Sequence, residues 1–424
     1  MKKVIDHLLA FWAKKILKKY QPKIIGITGS VGKTSTKEAI FYLLKEKFSV
    51  RRNIKNYNTE IGLPLTVIGA QTGGKNPWKW WLIFLKALKL FLKRDKNYPQ
   101  ILILEMGADH PGDIEHLVKI APCEMAIVTA IGETHLEFFG SLSGVKKEKQ
   151  KIVSHLKKSN VAILNADDEN VLAMTKETVA KVVTFGFQEE ALLRASDEMY
   201  FYEEGKKPYL IFKWHYNGSV VPVGLKNILT RTQIYSFLAA AAVGLEMRLP
   251  MMEIIKIMEN FSLPKGRTNL ITGIKETQII DDTYNSSPKA VKAALTVLTE
   301  LRARRKIAVL GEMLELGSES EKLHQEIGRE VFVRGIDLLI TTGERARDIA
   351  RGAKEAGMND NLIFSFETPG ETGRFLQDRI TMGDLILIKG SQGVRMEKVV
   401  KEIMAEPEKA GELLVRQDEE WLKK

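Results

Sequence analysis

The tightest constraint on how this chain can fold lies near its start, in Gly26-Ile-Thr-Gly29-Ser-Val-Gly32-Lys33-Thr34-Ser35. A short β-rich run, Lys23–Thr28, leads into the glycines, and a helical pattern from Lys33 to Lys45 leads out. Gly29–Thr34 reads G-x-x-G-K-[ST], a shortened form of the phosphate loop. A strand, a glycine turn and a helix N-terminus, in that order, aim backbone N–H groups at an anion. Lys33 is then placed for the β and γ phosphates of ATP and Thr34 for a magnesium ion. Gly29, Ser30, Gly32 and Ser35 complete the cradle, and Gly26, Gly29 and Gly32 are expected to keep the turn open. A ligand-free glycine turn is the bland alternative, but it leaves a lysine followed by hydroxyl residues without a purpose.

Such a turn implies parallel α/β architecture, and the chain continues in that manner. Ile101–Leu104 is a continuous apolar run ending at Glu105, as a buried parallel strand would be. Ala126–Ala130 and Val161–Leu164 have the same character. Residues 198–225 differ, with alternating Tyr-rich runs and Asn217-Gly218 predicting appended hairpins. A second α/β series follows a hinge at Leu263-Pro-Lys-Gly266. Its strands are predicted at Gln278–Asp281, Lys306–Leu310, Asp337–Thr341 and Asp384–Ile388, with helices over 288–302, 320–333 and 344–356. The fold expected is α/β: a P-loop central domain with a mainly parallel sheet, then a C-terminal Rossmann-like domain. The boundaries expected are 1–23 for an N-terminal amphipathic helix, 24–264 for the ATP-binding domain and 265–424 for the last domain.

Charge narrows the range of partners. The net charge of +11 sits in two segments: residues 1–23 hold seven lysines against Asp6, and residues 75–96 hold six lysines and Arg94 against Asp95. The rest is about neutral, so no nucleic-acid partner is expected. The two segments coincide with an amphipathic helix over 4–19 and a Trp/Lys-rich helix over 77–94. Peripheral contact of both with an anionic membrane is one reading, and packing on the protein body is the other. One cysteine, Cys123, excludes a disulfide framework and a multi-cysteine metal site. No stretch approaches the length of a membrane span, and a cytoplasmic protein, membrane-associated if those helices bind lipid, is expected.

A phosphate loop needs carboxylates for its metal. Glu105 ends an apolar strand, on the edge where parallel sheets bind ligands. His135 follows Ala126–Ala130 on the same edge. Alone it reads as a structural histidine; beside Glu105 and the loop it reads as a ligand.

At this point the motifs resemble those of the Mur ligases. The resemblance rests on Gly26–Thr36, Asn56-Tyr-Asn-Thr-Glu-Ile-Gly-Leu-Pro-Leu65, Glu105-Met-Gly and Thr134-His-Leu-Glu-Phe-Phe-Gly-Ser. Asp281-Asp-Thr-Tyr-Asn285, Leu310-Gly-Glu-Met-Leu-Glu-Leu-Gly317 with His324, Lys389-Gly-Ser391 and Arg395-Met-Glu397 are similar to the branch that adds D-alanyl-D-alanine. The resemblance implies an ATP-dependent ligase that activates a carboxylate as an acyl phosphate and couples it to an amine. It implies two Mg²⁺ ions bound through Thr34, Glu105, His135 and Lys149, the last as a carbamate. It makes Lys33, His135 and Lys149 catalytic, and Gln233, Arg267 and Asp282 nucleotide contacts. Substrate contacts are implied at Asn56, Thr59, Asn285, Lys389 and Ser391. The partners implied are a cell-wall precursor peptide and an amino acid or dipeptide. Read on its own residues, Lys149 sits among Lys146, Lys147 and Lys151 and looks like part of a solvated helix face.

The sequence also departs from the family. The phosphate loop begins at Gly26, where a typical member first carries a domain for the UDP end of the precursor, so that domain is expected to be absent. Arg231-Thr-Gln233 stands where the family usually has His-Asn. Open alternatives are a Mur-like ligase for a non-UDP, lipid-linked or polyglutamate-type acceptor, a non-catalytic nucleotide-binding interaction protein, and a P-loop ATPase.

Overall fold

The computed structural model describes residues 2–54, 57–132, 136–204, 206–418 and 421. Its chain divides into two compact units. One comprises Met1–Met199, Ile211–Leu225 and Arg231–Phe261; the other comprises Tyr200–Leu210, Lys226–Thr230 and Ser262–Lys424.

The chain opens with α1 (Lys2–Tyr20), β1 (Lys23–Thr28), α2 (Lys33–Leu44), β2 (Val50–Arg52), α3 (Gly62–Ile68) and α4 (Pro77–Leu92). It continues through β3 (Ile101–Glu105), α5 (Asp113–Ile120), β4 (Met125–Val128), α6 (Leu136–Phe139), α7 (Leu142–Ser154), β5 (Val161–Asn165) and α8 (Glu169–Leu172). β6 (Lys181–Gly186), β7 (Leu193–Phe201), β8 (Tyr209–Tyr216), β9 (Ser219–Leu225), α9 (Arg231–Glu246) and α10 (Met251–Met258) follow. The sheet order is β2-β3-β1-β4-β5-β6-β7-β8-β9. Every pairing from β2 to β7 is parallel. β3, β4 and β5 are buried along their whole length, which is why they read as unbroken apolar runs. β8 and β9 meet at Asn217-Gly218, both with positive φ, as a right-twisted two-residue hairpin requires. The core on one side of the sheet takes in Leu9, Ala13 and Ile16 of α1 together with Ile83, Ala87 and Leu90 of α4.

The second unit is built on β10 (Asn269–Thr272), β11 (Gln278–Asp282), α11 (Pro288–Glu300), β12 (Arg305–Gly311), α12 (Ser320–Val333), β13 (Leu338–Thr342) and α13 (Arg347–Ala356). It ends with β14 (Ile363–Phe366), α14 (Pro369–Arg379), β15 (Asp384–Lys389), α15 (Glu397–Ile403) and α16 (Ala410–Leu413). The order is β10-β11-β15-β12-β13-β14, with only β10 antiparallel to its neighbour. Separate apolar cores cover the two sides of this sheet.

Candidate active site

The glycine turn is folded onto the strand beside it. Ser30 N–H donates to Ala130 O at 2.7 Å, Gly132 N–H donates to Ser30 Oγ at 2.9 Å, and Thr129 Oγ1 donates to Val31 O at 2.5 Å. Gly29 has φ 146 and Gly32 φ 87, and a Cβ on Gly29 would run into the Thr129 hydroxyl. Both positions therefore demand glycine. Gly26 does not belong with them: it lies inside β1, where a Cβ would run into Cys123 Sγ. Its role is close packing between strand and neighbour, a correction to the view that it keeps the turn open. The first turn of α2, Lys33 to Ser35, presents N–H groups that no helix can use internally. Lys33 folds its side chain back, donating from Nζ to Gly29 O at 2.6 Å, so its charge stays within the turn.

Glu105 faces this turn because β3 pairs with β1 in register, Ile27 opposite Glu105. Its carboxylate is buried and shared. Thr34 Oγ1 donates at 3.1 Å, Asn58 Nδ2 at 3.3 Å, and Lys37 Nζ lies 3.2 Å away. Asn53 fixes the backbone at the same residue, accepting from Glu105 N–H and donating to Glu105 O, each at 2.8 Å. Thr28 Oγ1 donates to Met106 O at 2.8 Å, holding the next residue to β1. A serine or threonine hydroxyl beside a carboxylate is a donor set of hard oxygens, which suits Mg²⁺. Among the described residues no three His, Cys, Asp or Glu side chains gather.

Lys149 is 3 % exposed, not part of a solvated face. Burial, followed by the charge of Lys33, brings its pKa down to about 7, against the pull of Glu148 and Asp109. Its neighbour Glu148 accepts from Gly112 and Ile114 N–H at 2.9 and 2.7 Å, capping the start of α5. His135 and Asn56 lie outside the described residues. Thr59 stands ahead of α3, its carbonyl accepting from Leu63 N–H. Gln233 is buried in the first turn of α9. Two residues further on, Tyr235 Oη donates to Asp167 at 2.7 Å, and two residues before, Arg231 lies over the Phe187 ring.

The second unit assembles its own cluster at the ends of β11 and β15. Asp282 and Lys389 are register partners, and Lys389 Nζ donates to Asp282 Oδ2 at 2.7 Å and to Asn285 O at 2.8 Å. Asn285 Oδ1 accepts from Gln392 N–H at 3.4 Å, and Ser391 Oγ accepts from Leu314 N–H at 2.9 Å. Arg267 lies over Tyr284, 4.0 Å from the ring centre. Asp281 is wholly buried; burial lifts its carboxyl to about 6.

Four contributors escaped sequence reasoning. Lys37 is 1 % exposed, and its only signal is helical spacing with Ile40 and Leu44. Asn53 and Asn58 are indistinguishable in sequence from Asn56. Arg416, near the C-terminus, donates from Nη2 to Thr283 O at 2.5 Å and from Nη1 to Tyr284 O at 3.1 Å, and pairs with the buried Glu397 at 2.7 Å. It thereby holds the Thr283–Asn285 segment from behind, and nothing local in the sequence announces it.

A glycine turn at a helix N-terminus, with a lysine and a hydroxyl–carboxylate pair on adjoining parallel strands, defines a P-loop nucleotide enzyme. Residues 85–244 match the Mur ligase middle domain and residues 266–392 the Mur ligase glutamate ligase domain. The chain is 30% identical over 388 residues to the UDP-N-acetylmuramoyl-tripeptide–D-alanyl-D-alanine ligase of Rickettsia prowazekii, covering 89% of this chain and 77% of that protein. The corresponding Bacillus subtilis protein is 28% identical, over 93% of this chain and 79% of its own length. Among solved structures, the MurF ligase from Thermotoga maritima in complex with ADP is 30% identical with a TM-score of 0.77, covering 95% of this chain and 84% of that one. The chain belongs to the Mur ligase family and is an ATP-dependent, ADP-forming acid–amino-acid ligase.

Proposed function

We propose that this ligase couples D-alanyl-D-alanine, or a similar amino acid or dipeptide, to the carboxylate of a cell-wall precursor peptide. The supporting observation is the meeting of Lys33, Thr34 and Glu105 at one helix N-terminus, in a chain whose relatives carry that substrate pair in their names. A precursor carboxylate oxygen attacks the γ-phosphorus of ATP, and the bond to ADP breaks. The amine nitrogen then attacks the acyl carbon, the bond to phosphate breaks, and the nitrogen gives up a proton. Lys33 and the α2 N-terminus offset the repulsion between carboxylate and triphosphate. Magnesium, when bound, supplies further charge neutralisation at the phosphates. Thr34 and Glu105 would hold one ion; His135 and a Lys149 carbamate would hold the second. A buried ammonium is costly, so Lys149 carries much of its population as the free amine near neutral pH. That amine adds to CO₂, forming an N–C bond and releasing one proton, and an anionic oxygen ligand results.

Gln233, Arg267 and Asp282 are assigned to the nucleotide in this reading. Asn56 and Thr59 are assigned to the acceptor, and Asn285, Lys389 and Ser391 to the amine substrate. Peripheral membrane contact through residues 4–19 and 77–94 belongs to the same reading.

Phosphate release across a panel of acceptors and amines tests the reaction. Release that needs both substrates is expected, whereas release with neither makes the protein a simple ATPase. Lipid-linked and polyglutamate-type acceptors in the panel decide the acceptor class. Lys149→Ala should lose most turnover and regain part of it with short carboxylic acids; undiminished turnover rejects the carbamate.

A further inference from the structure

We infer that α1 and α4 form a docking surface for an anionic lipid bilayer, with the outer side of α4 at the headgroup–acyl boundary and its lysines on lipid phosphates. The inference rests on the peripheral contact proposed above and is independent of the ligase chemistry.

An amphipathic helix on a protein surface normally turns its polar side to water. α4 is apolar on its outer side as well as its inner one. Ile83, Ala87 and Leu90 enter the core, yet the opposite side carries Trp78 at 72 % exposure, Leu92 at 71 %, and exposed Trp81, Leu82, Leu85 and Leu88. At helical spacing Trp81, Leu85, Leu88 and Leu92 share one ridge, within about 60° of arc. Lys79, Lys89 and Lys93 run along one flank of that ridge, while Lys86 Nζ turns back to donate to Gly69 O. α1 extends the surface with exposed Val4, Leu8 and Phe11, and Trp12 meets Phe91 edge-on at 5.9 Å.

This surface is held rigidly to the unit beneath it. Lys19 Nζ donates to Leu90 O and Phe91 O at 3.0 and 2.6 Å, and Tyr20 Oη donates to Leu90 O at 3.0 Å. At the other end Asn76 caps α4, accepting from Trp78 N–H at 2.9 Å, and Trp80 Nε1 donates to Gly74 O at 3.0 Å. The ridge is therefore presented without a large ordering cost on binding.

The occupant follows from the placement of charge. Tryptophans on an apolar crest with lysines alongside suit the interface of a bilayer carrying negative lipid. Among the described residues no helix is long and apolar enough to cross a membrane, so the pair lies on the surface. A second copy would set two lysine-rich faces against each other across a two-fold axis. Nucleic acid would need its cations on the crest, where this surface has Trp and Leu.

Flotation of the full-length protein with phosphatidylcholine vesicles, with and without phosphatidylglycerol, tests the inference. Binding to the anionic vesicles at low salt, lost at high salt, is expected. Each flank lysine neutralised should lower partitioning by about fivefold. Trp81→Glu with Leu85→Glu should abolish flotation while circular dichroism and phosphate release without vesicles stay as in the wild type. Three results overturn the inference: no flotation on anionic vesicles, equal flotation on neutral ones, or undiminished flotation of the double variant. Dimerisation in sedimentation without flotation would assign the surface to a second copy instead. None of these results touches the ligase reading, which phosphate release tests separately.

Discussion

Both compact units place a buried lysine–carboxylate pair at the ends of parallel strands, but they build it differently. In the first, Lys37 reaches Glu105 from a helix, and the carboxylate is also shared with Thr34 and Asn58. In the second, Lys389 and Asp282 sit opposite each other on adjacent strands, 2.7 Å apart, and among the described residues Lys389 is the cation that holds Asp282. A carboxylate with several moderate partners can trade one of them for an incoming cation without stranding its charge. One held by a single strong partner cannot. The first arrangement suits a site that loads and unloads a metal, and the second suits a fixed anchor for the Thr283–Asn285 segment.

Several changes would break or sharpen this contrast. The largest effect is expected on catalysis in the first unit: Lys33→Ala should lower the initial rate of phosphate release by roughly a hundred- to thousandfold. Its urea midpoint should barely move, and retained turnover would remove Lys33 from the site. Next come the two anchors. Lys389→Met should cost about 3–5 kcal/mol in urea unfolding by leaving Asp282 buried and unpaired. Lys37→Met should cost only about 2 kcal/mol, because Glu105 keeps its neutral donors. Equal losses would erase the distinction.

A pH effect of similar or slightly smaller size belongs to Asp281, beside the second anchor. Its Oδ1 accepts from Thr283 N–H and Oγ1, while among the described residues Oδ2 has no hydrogen-bond partner. Burial raises its pKa from 3.8 to about 6. The unfolded chain thus releases this proton first as pH rises, and stability drains away between those two values. Relative to Asp281→Asn, the wild type should be about 2–3 kcal/mol better off at pH 4 than at pH 7.5. Parallel urea curves at the two pH values check this, and a constant difference would contradict it. The smallest effect is expected from Arg416→Lys, about 1 kcal/mol, since one ammonium cannot serve Glu397, Thr283 and Tyr284 together. Thermal melting measures it, and a loss as large as that of Lys389→Met would make the C-terminal tail the main anchor.

Much of the fold was legible because its signals are local. α12 spans Ser320–Val333, as its spacing indicates, and β3 and β5 announce themselves as unbroken apolar runs. β14 stayed hidden because Ile363–Phe366 is a short edge strand, only half buried. β10 was missed for a related reason, as a four-residue antiparallel strand at the opposite edge. In the site, Lys33, Thr34 and Glu105 were legible from strand ends and the glycine turn. Lys149 was ambiguous because neighbouring lysines mask it, and its burial is decided by how α7 packs. Lys37 resisted for the same reason in reverse: a lysine on a helix reads as solvent-facing until a carboxylate at the end of a distant strand is placed beside it. Asn53 and Asn58 owe their roles to β3, some fifty residues away, which no local pattern encodes.

Titration calorimetry of the purified protein with ADP, with and without Mg²⁺, tests the central claim most directly, run beside the Glu105→Gln variant. Binding that strengthens with Mg²⁺ in the wild type, and loses that dependence in Glu105→Gln, is the expected result. Absence of nucleotide binding, or a magnesium effect that survives the substitution unchanged, would contradict a metal held between Thr34 and Glu105.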